Sequence, residues 1–144
     1  MLDHVLKQLE SDETTAINGL KEFLAIPSVS TDPAFAEHVG QAAQWVANRL
    51  SAIGFDVQIH RTKGHPIVIA TSSDRNIANP SAPRILFYGH YDVVPADPID
   101  KWESPPFDPT IRDGAIFARG ASDDKGQVSC FIEALSAWMQ VHGQ

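Results

Sequence analysis

"ILFYGHYDVVP", residues 85–95, is the stretch on which the fold turns. With Arg84 before it, the run to Gly89 is an unbroken series of apolar strand formers, the pattern of an inner strand covered by helices on both sides. His90 and Asp92 then break the pattern. In an extended chain alternate side chains share a face, so the imidazole and the carboxylate point the same way where the strand ends. Open α/β sheets bind ligands beyond the carboxyl ends of their strands, which makes this end the place to look for chemistry.

Upstream, residues 2–26 carry apolar positions at helical spacing, interrupted around "SDETT" and stopped by Pro27. A second helix is better marked. Val39, Ala42, Ala43, Val46, Leu50 and Ile53 fall on one stripe, and Gly54 stands where a helix C′ residue belongs. The period then changes to two through Phe55, Val57 and Ile59, and "PIVIA" at 66–70 follows a short turn, which reads as two paired strands. The polar "TSSDRNIANPSAP" at 71–83 is a surface connection. Downstream, "ADPIDKWESPPFDP" is a Pro-rich loop, "TIRDGAIF" is a hairpin turning at Asp113-Gly114, and a last helix runs from about Asp124 to His142. Its apolar stripe is Val128, Phe131, Ile132, Leu135, Trp138 and Met139. The order of elements predicts an α/β fold: a mixed, mainly parallel sheet with helices on both faces, a three-layer αβα arrangement that is incomplete within this length.

Composition narrows the function classes. The chain has 144 residues, 43% of them hydrophobic, enough for one domain core. Eleven basic against 18 acidic residues leave a net charge of −7, and no basic cluster interleaves with aromatics, so nucleic acid is not an expected partner. The amino end carries acids and never runs apolar for long, which argues against a signal peptide or a membrane partner and for a cytoplasmic location. The single cysteine, Cys130, is set among apolar residues and is expected to be an inert core thiol. No nucleophile elbow, phosphate loop or H-E-x-x-H zinc helix is present.

What remains is "HYD" and "GASDDKG". His90 and Asp92 suit a metal site in two ways: the imidazole binds the ion while the carboxylate holds its other ring nitrogen, or both are ligands. The plainer alternative is a strand-end pair facing solvent. Asp123 and Asp124 sit at a helix start, where carboxylates are favoured by the dipole, and N-capping is the expected role of Ser122 and Asp124. An Asp there is equally a hard donor able to bridge two divalent ions, and periodicity does not choose between Asp123 and Asp124. The other histidines, at 4, 38, 60, 65 and 142, are expected at the surface.

Taken together, "FLAIPSVS", "GHYDVVP", "KWESPPFDP" and "DGAIFARGASDDKG" occur in the order and spacing of a known family. They resemble the co-catalytic zinc metallopeptidases that include aminoacylases, acetylornithine and succinyl-diaminopimelate deacylases, carboxypeptidase G and the carnosine-type dipeptidases. The dipeptidase branch is most similar, through "WESPPF" and "SDDKG". The resemblance implies that His90 is a ligand of one metal ion. It implies that Asp92 is an active-site residue orienting His90, and that Asp123 is the carboxylate bridging both ions. Two divalent ions are implied, zinc first, with manganese or cobalt as the alternatives. The implied reaction is hydrolysis of a peptide or amide bond in a dipeptide or N-acyl amino acid, by a water that the two metals activate with help from a general-base glutamate.

By the same resemblance that glutamate belongs to a Glu-Glu pair some thirty residues beyond Asp123, and Glu133 follows too closely to replace it. Residues 1–144 are therefore expected to be the amino-terminal part of a metal-binding catalytic domain. The distal ligands, the lid domain through which the family forms homodimers and the rest of the catalytic domain are expected elsewhere. On that basis the chain alone is expected to be inactive. The alternative is a non-catalytic binding or assembly module on the same scaffold.

Overall fold

Val39, Ala42, Ala43, Val46, Ala47 and Leu50 are buried along one face of helix α2 (Ala36–Ala52), the spacing by which an amphipathic helix covers a sheet. The computed structural model, which describes residues 1–72 and 85–143, lays that face on an antiparallel pair, β1 (Phe55–His60) and β2 (Ile67–Ser72). The register sets Phe55 opposite Ser72 and His60 opposite Ile67. Phe55, Val57, Val68 and Ala70 turn toward the core, while Asp56, Gln58 and Ile69 face out, the alternation expected of a half-covered sheet.

Helix α1 (Leu2–Ala25) packs along α3 (Lys125–His142). The break expected around "SDETT" does not occur, and α1 runs unbroken for 24 residues. Its polar turn is an exposed face with partners of its own. Asp12 accepts hydrogen bonds from Gln8 at 2.9 Å and from Gln140 of α3 at 3.3 Å. The core gathers Phe23, Ala42, Val46, Leu50, Val128 and Ile132 from all three helices. Phe23 stacks on Trp45 with ring centroids 4.2 Å apart, and an Arg49–Glu133 ion pair ties α2 to α3.

Two expectations about α3 are corrected. Trp138 is 42% exposed and leaves the inward stripe, while Met139 beyond it is half-buried. Cys130 is exposed and is not a core thiol. It stands two residues from both Val128 and Ile132, about 200° round a helix of 3.6 residues per turn, and so lies opposite the buried face.

The hairpin forms where expected, with β3 (Thr110–Arg112) and β4 (Ala115–Phe117) joined through Asp113 at φ 50° and Gly114 at φ 76°. The expected inner strand does not form over its described part, residues 85–89; Arg84 and residues 73–83 of the surface connection lie outside the described residues. Ile85, Leu86 and Tyr88 are between 86% and 92% exposed. A strand exists only through its neighbours, and among the described residues the one parallel pairing is an isolated bridge between Val29 and Val93. The described residues therefore hold helices with two small antiparallel sheets, a mixed α/β arrangement. Among them no helix is long and apolar enough to cross a membrane.

Candidate metal centre

The "HYD" segment is fixed from two sides. On one side lies the strap Ser28–Val29–Ser30, which follows α1. Ser28 is fully buried, and its Oγ donates to the Tyr91 carbonyl at 2.7 Å. The Val93 N–H donates to Ser28 O at 2.9 Å, and the Ser30 N–H to Val93 O at 3.3 Å. On the other side lies the "SDDKG" loop at the start of α3. Gly89 and Gly126 let the segments meet. A Cβ on Gly89 would stand 2.7 Å from Val128 Cγ2, and one on Gly126 would stand 2.1 Å from the Ala121 carbonyl oxygen.

Between these supports the three predicted site residues come together. His90 Nε2 lies 3.0 Å from Asp123 Oδ1, while its Nδ1 lies 3.1 Å from both the carbonyl oxygen and Oδ1 of Asp92. The other Asp92 oxygen, Oδ2, accepts from Ser30 Oγ at 2.5 Å. Asp123 is open to solvent, with 78% of its side chain exposed against 39% for His90 and 38% for Asp92. The His90 ring is pulled two ways. Burial favours its neutral form, but the Asp123 hydrogen bond, the Asp92 carbonyl and the charges of Asp92 and Asp124 outweigh it, so its pKa is raised.

Asp124 does not act as expected. It occupies the N-cap position of α3, but its side chain makes no capping bond there. Its Oδ2 instead accepts the His90 backbone N–H at 3.0 Å, which anchors the imidazole-bearing residue to the α3 end. Ser122 also leaves the cap unserved, and its carbonyl accepts from Gln127 Nε2 at 2.6 Å. His65, expected at the surface, reaches Ser30 O with its Nε2 at 2.8 Å. Arg119 packs in the Pro-rich loop, its guanidinium carbon 5.3 Å from the Trp102 ring.

Two further groups carried no role in the sequence reading. Tyr91 donates its hydroxyl to the Pro66 carbonyl, and burial, followed by the Asp92 charge, raises its pKa. Lys125 is fully buried. Its ammonium donates to Phe23 O at 2.8 Å and Ile26 O at 2.7 Å, the carbonyl end of α1, and lies 4.9 Å from the Phe23 ring centroid. That end has no basic residue of its own, and a cation there meets the negative end of the helix dipole. Lys125 thus ties the loop carrying Asp123 to the segment leading into the strap. The one signal for these roles was the "FLAIPSVS" run, whose two serines reach across more than 60 residues.

The donor set fits a divalent ion in part. Two ligands of a tetrahedral zinc, at bond lengths near 2.1 Å, stand about 3.4 Å apart. His90 Nε2 and Asp123 Oδ1 are 3.0 Å apart and need little movement to grip one ion. Among the described residues no group of three His, Cys, Asp or Glu side chains could hold a metal ion, and a zinc site takes about four ligands with water included. A cleft of about 570 Å³ opens beside the pair, walled by Leu50, Phe55, Val68, Phe87 and Phe131 among others.

Residues 86–144 match the model of peptidase family M20/M25/M40. The chain is 40% identical over 95 residues to a succinyl-diaminopimelate desuccinylase of Nitrosospira multiformis, covering 66% of this chain and 24% of that protein. It is 38% identical over 120 residues to the enzyme of that name from an Azoarcus species, covering 83% of this chain and 30% of that one. Among solved structures, human carnosine dipeptidase 1 is similar with a TM-score of 0.85 at 30% identity, over 98% of this chain and 32% of that one. The dipeptidase Dug1p of Saccharomyces cerevisiae is similar with a TM-score of 0.83 at 28% identity, over 100% of this chain and 32% of that one. The chain spans about a quarter to a third of the length of these relatives. Motifs, family-model match and structural likeness agree on a peptidase family M20/M25/M40 domain, matched over residues 86–144.

Proposed function

We propose that the whole protein hydrolyses the amide bond of a small substrate, a dipeptide or an N-acyl amino acid, with two divalent ions, zinc first and manganese or cobalt as alternatives. His90 is a ligand of one ion, Asp123 bridges both, and Asp92 orients His90. The observation that carries this reading is the approach of His90 Nε2 to Asp123 Oδ1 at 3.0 Å while Asp92 holds the opposite ring nitrogen. That is how second-sphere carboxylates fix the tautomer of a metal-binding histidine. When bound, the ions supply a water of lowered pKa and polarise the scissile carbonyl. The chain's own part is to hold the donors. Asp124 fixes the His90 backbone, Asp92 turns the ring, and the exposed Asp123 projects into the open space where substrate arrives.

Names of relatives bear on the substrate. A desuccinylase and a dipeptidase both act on an acylated amino acid, which supports an amide next to a carboxylate-bearing unit. The general-base glutamate, the remaining ligands and a dimer-forming lid are assigned to the length by which the relatives exceed this chain. There too we place the strands that would complete a mainly parallel three-layer sheet on the Val29–Val93 bridge, in a cytoplasmic enzyme. The 144-residue chain alone is then inactive. A non-catalytic module is the competing reading, favoured by the want of a third donor among the described residues. The test is turnover of dipeptides and N-acyl amino acids by the whole protein with added zinc. Zinc-dependent turnover that Asp123→Ala abolishes supports the enzyme, and no turnover of either class under any of the three metals supports the module.

A further inference from the structure

The motif "IPSVS" at 26–30 is not absorbed by the metal centre, although its Ser30 hydroxyl lies 2.5 Å from Asp92 Oδ2. Asp92 can orient His90 only if its carboxylate is itself oriented, because the terminal torsion of an aspartate is broad and soft. One oxygen, Oδ1, faces His90 Nδ1 at 3.1 Å; the other is gripped by Ser30 Oγ at 2.5 Å. Ser30 is in turn held at two points, and the strap at a third. Its N–H donates to Val93 O at 3.3 Å, its carbonyl lies 2.8 Å from His65 Nε2, and two residues earlier Ser28 Oγ is bonded to Tyr91 O at 2.7 Å. The hydroxyl therefore comes from a rigid strap whose register against residues 91–93 is set by the backbone.

We infer that Ser30 is a positioning residue of the metal centre: its hydroxyl locks the Asp92 carboxylate so that Oδ1 addresses His90 Nδ1 and leaves Nε2 free for the ion. The role rests on the functional reading above and deepens it. Ser30 touches neither ion nor substrate, and acts through Asp92. The hydroxyl keeps its proton and donates one hydrogen bond to a carboxylate oxygen. Removing the hydroxyl leaves the Asp92 carboxylate, among the described residues, hydrogen-bonded to His90 alone, so it swings and the ring loses its fixed direction. Outer partners of metal ligands typically change affinity by 10- to 100-fold, and a group one bond further out belongs at the lower end, roughly tenfold.

The experiment uses cobalt(II), whose visible spectrum reports ligand geometry, with the whole protein and its Ser30→Ala, Ser30→Thr and Ser30→Cys variants. Expected is an approximately tenfold weaker cobalt affinity and an altered visible band in Ser30→Ala, at an unchanged far-UV circular dichroism spectrum. Ser30→Thr, which keeps the hydroxyl, restores both. If Ser30→Ala does not fold, Ser30→Cys, nearly the same size with a weak donor, carries the comparison and falls between the two. A lowered melting temperature with wild-type affinity and spectrum overturns the inference and leaves Ser30 structural. Wild-type protein that takes up no cobalt overturns the metal reading, and the inference falls with it.

Discussion

Lys125 sets a fully buried ammonium against the carbonyl end of α1, and the balance of forces on it is measurable as a slope. Burial lowers its pKa to about 7, with the Asp92 charge pulling the other way. The unfolded lysine keeps its proton to about pH 10.4. Between these limits the unfolded chain binds about one proton more than the folded one, so stability rises with pH across that window. Below pH 7 both states are charged and the slope vanishes. The gradient is at most about 1.4 kcal/mol per pH unit, or roughly 5 kcal/mol over the whole window. In Lys125→Met a chain of similar length fills the same channel without a titrating proton. The two carbonyls keep other donors, Ile26 N–H on Phe23 O at 3.3 Å and Ser28 N–H on Ile26 O at 2.8 Å. The loss is then two charge-assisted hydrogen bonds, about 1.5–3 kcal/mol each, against a relieved burial cost of about 4 kcal/mol at pH 7. The variant should lie within about 2 kcal/mol of wild type at pH 6.5 and fall behind by roughly a further 3 kcal/mol by pH 9.5. Urea unfolding of both proteins at several pH values gives the difference, in which every other titrating group cancels. A difference constant from pH 7 to 9.5 refutes the reasoning, for it means that the carbonyl cradle keeps the lysine charged throughout.

Phe23→Ala removes a ring that is fully buried and stacked on Trp45, and should cost about 3–5 kcal/mol in urea unfolding. A cost under 1 kcal/mol would remove Phe23 from the core. Gly126→Ala places a Cβ 2.1 Å from a backbone carbonyl, and the forced shift of the Ala121–Lys125 loop should cost about 1–3 kcal/mol or more. Wild-type stability in that variant would show that α3 and the loop do not meet so closely.

Much of the scaffold was legible because its cause is local. The α2 stripe from Val39 to Leu50 and the Asp113-Gly114 turn are written in spacing and in residue type, and both form where read. Residues 85–89 were misread because a strand depends on neighbours that its own sequence does not contain. Cys130 was misplaced by counting apolar neighbours in sequence, whereas on a helix the face is decided by angle. His90, Asp92 and Asp123 were singled out by chemistry at an element's end together with a family resemblance, and the fold brings them within hydrogen-bonding distance. Their supports were missed for a physical reason. Ser30 reaches Asp92 across 62 residues, and Lys125 reaches Phe23 across 102. Spacing carries no trace of contacts at that separation.

The most direct measurement is the metal content of the whole protein, by elemental analysis after dialysis against zinc, for wild type, His90→Ala and Asp123→Ala. The account predicts that wild type retains zinc, that His90→Ala loses part of it, and that Asp123→Ala, deprived of the carboxylate shared by both ions, loses most. Full zinc content in Asp123→Ala would contradict it.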